Sequence, residues 1–274
     1  AVLLWATLAL FTVGSAGIPP FQLNAMCFAV GGAVGIGWML VTGRRIGPVR
    51  PAVWALGVGG LFGYHFLYFT ALSAAPPAEA GLIAYLWPLL IVLFSGLLPG
   101  ERLRARHVAG AIIAFGGAAL ILAQADLSFE GEHALGYAAA GLCALFWSGY
   151  SVLSRRAGDV PTQTVAVFCL ATAALSLLAH LALEVTAWPT SAWTWASILA
   201  LGLGPVGLAF YLWDIGVKRG DIQVLGTASY AAPLLSTFLL VGTGAAPFSW
   251  VLAAAALLVT GGAMIAAGIG LRRR

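Results

Sequence analysis

Charge is what this chain of 274 residues has least of. Lys, Arg, Asp and Glu make up 8% of it against 61% apolar residues, with a mean hydropathy of +0.99. A soluble domain carries roughly a quarter charged residues, so this chain is solvated by lipid. Cysteine is scarce too. Cys27, Cys143 and Cys169 lie inside apolar segments at no metal-binding spacing and read as small buried hydrophobes. There is no Gly-x-Ser-x-Gly elbow, no His-Glu-x-x-His pair and no pair of intramembrane carboxylates, so nothing supports an intramembrane enzyme and no cofactor or metal is expected. No Lys or Arg lies at mid-depth in an apolar segment, which counts against a phosphate-bearing cargo, because phosphate needs cationic donors.

Basic charge is missing from every second gap between the apolar segments. The thirteen Lys and Arg fall at 44, 45 and 50; 102, 104 and 106; 155 and 156; 218 and 219; and 272 to 274. The intervening gaps hold Glu79, then Asp126, Glu130 and Glu132, then Glu184. Lys and Arg resist translocation, so the basic gaps are cytoplasmic, the number of spans is even and both termini are cytoplasmic. The net charge of +4 is divided among short loops and forms no patch, so no nucleic-acid partner is expected.

A span needs about 20 mostly apolar residues. Ten segments qualify, near 1–17, 22–42, 52–74, 77–98, 108–124, 135–153, 164–187, 193–217, 222–244 and 250–270. The opening run leads into this complete set and is not read as a cleaved signal peptide. Trp54, Trp188, Trp193, Trp195 and Trp250 sit at segment ends, where an aromatic belt meets the headgroups.

A shift of 145 residues superposes the halves without gaps over about sixty positions. Gly81, Tyr85, Pro88 and Leu89 fall on Gly226, Tyr230, Pro233 and Leu234, and Gly116 and Gly117 on Gly261 and Gly262. Each repeat then has five spans. An odd number forces the second to insert upside down, the arrangement of alternating-access transporters. The expected fold is an all-α membrane protein of ten transmembrane helices, in two inverted five-helix repeats over 1–126 and 127–274.

Pro88 and Pro233 lie mid-segment. They either kink helices for packing or form a paired break that turns the carbonyls of Ala84 and Ser229 toward a cavity. Tyr64, His65 and Tyr68 lie within one turn; Tyr85 and Trp87 precede Pro88. Phe146, Trp147 and Tyr150 cluster in the sixth segment, and Phe210, Tyr211 and Trp213 in the eighth. Any one such ring could be core. Yet Tyr and Trp tips need polar partners that lipid does not supply, so the group reads as a lined cavity. His65 is the single ionisable side chain near the bilayer centre: a functional group, or a neutral hydrogen-bonded one. Asp214 reads as an i,i+4 partner of Lys218, His180 as reaching the interface, and Glu101 as a solvated or helix-terminal charge. Gly31 and Gly35, and Gly59 and Gly63, have small-xxx-small spacing for close helix packing. The run 202–207 matches a dinucleotide fingerprint only as text, because no strand precedes it.

The stretch 84–89 (Ala-Tyr-Leu-Trp-Pro-Leu), followed by Gly100-Glu101 and the Gly116-Gly117 helix, resembles the signature block of the drug/metabolite transporter superfamily, EamA-type branch. The second copy keeps Tyr230-Ala-Ala-Pro233 but has Ala246 in place of Glu101. Tyr-Leu-Trp-Pro with Tyr64-His65 upstream is similar to the YddG-like exporters of aromatic and other neutral amino acids. That resemblance implies a bacterial inner-membrane exporter. Its substrate-binding residues would be Tyr64, His65, Tyr68, Tyr85, Trp87, Pro88, Trp147, Tyr150, Phe210, Tyr211, Trp213, Tyr230 and Pro233. The expected partners are the bilayer and a small molecule, a neutral or aromatic amino acid or else a lipophilic drug cation; aromatic faces can hold either ring or cation. A pore or scaffold without alternating access is a third reading. No buried carboxylate marks a coupling-ion site, and no signal specifies an oligomeric state.

Overall fold

The structure, a computed structural model, describes residues 1–123, 127–157, 159–244 and 249–269. Asp126, Ala246 and Arg272 to Arg274, invoked above, lie outside the described residues. The described chain is helical. Its ten apolar segments are α1 (Val2–Gly14), α2 (Pro20–Thr42), α3 (Pro51–Ala74), α4 (Pro77–Ser95), α5 (Ala105–Leu122), α6 (Gly131–Arg156), α7 (Thr164–Leu183), α8 (Ala192–Arg219), α9 (Ile222–Gly242) and α10 (Trp250–Ala267). Segments α2 to α10 are long and apolar enough to cross a bilayer, while α1 is shorter. The protein is therefore a multi-pass membrane protein.

The helix ends follow local chemistry. Pro20, Pro51 and Pro77 open α2, α3 and α4, where a missing N–H costs nothing and the fixed φ is already helical. Ser191, Asp221 and Ser249 cap α8, α9 and α10 by accepting the N–H of Thr194, Val224 and Leu252. Gly43 and Gly268 end α2 and α10 at φ 66° and 72°, a conformation that glycine adopts without a Cβ penalty.

The 145-residue correspondence reaches well beyond the matched sequence. Shifted by that amount, α5 coincides with α10 at both ends, and α2, α3 and α4 overlay α7, α8 and α9 with ends differing by a few residues. Even the irregularities correspond. The helix widens to a π-turn at Gly59–Gly63 in α3 and at Gly204–Leu208 in α8. It breaks at Tyr85–Leu86 in α4 and at Ser229–Tyr230 in α9.

Among the corresponding helices, α5 with α10 and α2 with α7 pack on each other, running antiparallel. Gly110 of α5 faces Gly262 of α10, and a Cβ added to either would collide with the other's carbonyl oxygen. Further along, Gly117 meets Ala255, whose carbonyl would lie 2.9 Å from an added Cβ. The same holds for α2 and α7, where Asn24 donates to Ser176 Oγ at 2.7 Å and Gly32 lies against Ala166 and Leu170. Lipid supplies no hydrophobic drive between helices, so glycine contacts that bring backbones together do this work.

Two expectations about glycine separate here. Gly31 and Gly35 do allow close approach: Gly31 packs on Gly207 and Gly35 on Tyr211 and Ala166. An added Cβ at Gly59 would meet nothing, whereas one at Gly63 would lie 2.7 Å from the Phe146 ring of α6, so of this pair Gly63 allows the close approach. The run at 202–207 likewise lies within α8 and its widened turn, which leaves no strand-to-helix loop for a dinucleotide.

Candidate functional site

Four indoles and a phenyl ring meet where both halves converge. Trp87 follows the break in α4, Trp147 comes from mid-α6, and Phe210 and Trp213 lie one turn beyond the π-turn of α8. Trp87 and Trp147 stand edge to face with centroids 6.2 Å apart, and Trp213 lies 5.8 Å from Trp87 and 6.1 Å from Trp147. Phe210 is 5.5 Å from Trp147. The fourth indole is Trp5 of α1, 5.0 Å from Trp213 and 6.0 Å from both Trp87 and Trp147. The walls Trp87, Trp147, Phe210 and Trp213 are buried, and Trp5 is partly buried. The sequence reading missed Trp5 and also Phe28, which stacks on Phe210 at 5.4 Å. For Trp5 the signal was available: like Trp87 and Trp147, it lies inside its segment and not at an end.

Two of the four indole N–H groups have partners beside the box. Trp213 Nε1–H donates to Ser151 Oγ at 3.0 Å, and Trp5 Nε1–H donates to the Pro205 carbonyl at 3.1 Å. Tyr64 stacks parallel to Tyr68 and leans on Trp147 at 5.5 Å; Tyr150 lies 5.3 Å from Trp147 on its far side. His65 borders the box through Phe210 at 6.2 Å and is ringed by Phe28, Tyr64 and Phe69. Its Nδ1 lies 2.7 Å from the Leu61 carbonyl, within the π-turn of α3. A carbonyl can only accept, so Nδ1 carries the proton, and in the neutral ring Nε2 is left as an acceptor.

Other candidate residues lie elsewhere. Tyr211 faces α2, where its hydroxyl donates to the Gly31 carbonyl at 3.0 Å. Tyr230 is fully buried against Phe115, in a cluster that Tyr85 and Leu89 join. Its hydroxyl accepts the Leu89 N–H at 3.1 Å, so it caps the helix that restarts after the α4 break. Pro88 lies at the start of that restarted helix. Pro233 lies just past the α9 break, where the Ser229 carbonyl, expected to be free, accepts the Ala232 N–H at 3.0 Å. Phe146 is half-exposed and lies against Gly63 of α3.

Ionisable groups frame the two ends. Asp214 pairs with Lys218 at 2.9 Å as expected, and also accepts from Thr162 Oγ1 at 2.6 Å. Glu101 is not a solvated charge. It pairs with Arg155 at 2.5 Å and accepts from Gln223 Nε2 at 3.3 Å. His180, expected to reach the interface, lies in the last turn of α7. It is buried, with Nδ1 on Glu184 and Nε2 on Thr186, because Glu184 turns back to accept the N–H groups of Phe21 and Gln22 at the start of α2. At the same end, buried Glu79 accepts from Tyr137 and from the Ser128 and Phe129 N–H groups.

Comparison with known proteins agrees with this architecture. The EamA-like transporter family matches residues 1–123 and 134–268, one match per half. The chain is 56% identical to a protein of Ancylobacter novellus named aromatic amino acid exporter YddG, over 97% of this chain and 94% of that protein. A Salmonella typhimurium protein of the same name is 26% identical over 97% of this chain and 93% of its own length. A solved crystal structure superposes with a TM-score of 0.96 at 55% identity, covering 99% of this chain and 95% of that one. With matches across both halves and paired breaks in its helices, the chain belongs to the EamA-like transporter family, and it is a transporter and not an enzyme.

Proposed function

We propose that this protein exports aromatic and other hydrophobic amino acids across the bacterial inner membrane by alternating access. Ten spans form two inverted repeats, 1–126 and 127–274, with both termini cytoplasmic. The antiparallel packing of α5 on α10 and of α2 on α7 supports the inversion, since helices related by such an axis point in opposite directions. The one-sided basic loops support the orientation. The observation that carries the substrate class is the box of Trp87, Trp147, Phe210 and Trp213, drawn from both halves at the point where their helices break or widen. It presents apolar faces and edges to a planar ring and excludes water from it. The Ancylobacter relative's name points to the same cargo. A lipophilic cation would use the same aromatic faces, but Asp214, the acid nearest in sequence to the box, is paired with Lys218.

Counterflow in proteoliposomes tests the reading. Liposomes loaded with phenylalanine should accumulate labelled phenylalanine or tryptophan saturably. Trp87→Ala or Trp147→Ala should cut that rate about tenfold or more, from lost ring contact on the order of 1–3 kcal/mol, while the variants still insert. Linear, unstimulated flux would mark a pore. Stimulation by quaternary ammonium drugs but not by amino acids would mark a multidrug carrier.

A further inference from the structure

The box already holds a guest. Trp5 enters from α1 and meets Trp87, Trp147, Phe210 and Trp213 at centroid distances of 5.0–6.5 Å, mostly edge-on. Its one polar atom also finds a partner that the fold has prepared. In a regular helix the Ala209 N–H would take the Pro205 carbonyl; across the π-turn of α8 it goes to Gly204 instead, and the Pro205 carbonyl accepts Trp5 Nε1–H. The π-turn of α3 also has a carbonyl that meets a ring nitrogen, but at a different position: Leu61, one residue past the copy of Pro205, meets His65 Nδ1 and also accepts the Tyr64 N–H.

A carbonyl at membrane depth must have a donor. If Trp5 leaves, whatever replaces it has to bring both a ring for the box and an N–H for Pro205. An aromatic amino acid brings both, as ring and ammonium. Among the walls, Trp213 is tied by its hydrogen bond to Ser151. Trp5 sits in a segment interrupted at Thr7, and among the described residues of α1 it makes the one side-chain hydrogen bond to another helix.

We infer that Trp5 is an internal surrogate for the cargo, a specificity-determining plug that the cargo displaces. The incoming ring takes the seat of the indole, and the ammonium takes the Pro205 carbonyl. The inference rests on the exporter reading above. Its consequence is a sign. A wall residue adds affinity, whereas an internal competitor lowers it in proportion to the fraction of molecules in which it is seated.

The test is calorimetric binding of L-phenylalanine to the full-length protein in lipid nanodiscs, for wild type, Trp5→Phe, Trp5→Ala and Trp147→Ala. Trp5→Phe keeps a ring in the box and so the packing, but loses the N–H. It should bind about fivefold more tightly, the factor for one net hydrogen bond, with Trp5→Ala tighter still. Trp147→Ala should bind more weakly. Unchanged or weaker binding by both Trp5 variants, alongside the weak Trp147→Ala, would make Trp5 an ordinary wall and overturn the inference. Trp5→Phe alone decides if Trp5→Ala does not fold. No binding of any aromatic amino acid by folded wild type and variants alike would instead overturn the exporter reading, and the plug with it.

Discussion

Glu101 and Arg155 hold their charged ends 2.5 Å apart across the seam between the two halves, at the end that carries the basic loops. Arg155 also donates to the carbonyls of Val217 and Gly220 at the end of α8. The 145-residue correspondence places Glu101 on Ala246 and Arg155 on Leu10, neither of which is charged. The ion pair therefore has no charged copy at the symmetry-related positions in the sequence, and it favours closure at its own end. Both side chains keep about a fifth of their surface exposed, so solvent screening tempers its strength to about 1–3 kcal/mol. Glu101→Gln should loosen the cytoplasmic side. A cysteine at Ser151, in an otherwise cysteine-free background, should react several-fold faster with an impermeant maleimide applied from that side. Equal rates with and without Glu101→Gln would show that the clasp does not hold the closure.

His65 has its Nδ1 proton committed to Leu61, which leaves Nε2 as a neutral acceptor beside the aromatic box. Among the described residues, no carboxylate hydrogen-bonds it to form a proton relay. It is expected to act as a polar contact and not as an obligatory proton carrier. His65→Gln should retain measurable counterflow, and His65→Ala should lose more. If both are equally inactive and wild-type transport follows an imposed proton gradient, the proton-carrier role replaces this one.

Tyr230 holds the restart of α4 from the other half through the Leu89 N–H. Tyr230→Phe deletes an acceptor and leaves that buried donor unpaired, at a cost of about 1–3 kcal/mol. The midpoint of thermal unfolding in detergent should fall, and transport should drop with it. Pro88→Ala should impair counterflow more than Pro233→Ala, since the Ser229 carbonyl is already taken by Ala232 and has less to regain. Equal effects of the two proline substitutions would remove the asymmetry argued here.

Topology can be read by labelling single cysteines at Glu132 and Arg156, which lie at opposite ends of α6. The basic loops predict position 156 on the cytoplasmic side and position 132 on the periplasmic side. Impermeant reagent added outside intact cells should modify the cysteine at Glu132 alone. Labelling of both from one side is incompatible with α6 crossing the bilayer.

Much of the scaffold is local and therefore legible in a single chain. Hydropathy, proline starts and glycine stops set the helices within a few residues, because each depends on neighbours in sequence and on the solvent. The repeat was visible over α4 and α5 and their copies, where identities survive. Its extension to the π-turns of α3 and α8 was not, since a shared backbone shape there is carried by different residues, such as His65 and Phe210.

The site divides the same way. Trp87, Trp147 and Trp213 could be singled out as cavity candidates from rings at mid-depth. Which rings face one another could not, because helical spacing gives a direction relative to the residue's own helix but not which other helix lies there. Tertiary packing alone sent Tyr211 to Gly31 and Tyr230 to Leu89, turned Glu101 onto Arg155, and brought Trp5 to the Pro205 carbonyl. In lipid a hydroxyl, an indole N–H or a carboxylate has no water to fall back on, so its final position is decided by where the rest of the fold leaves a partner.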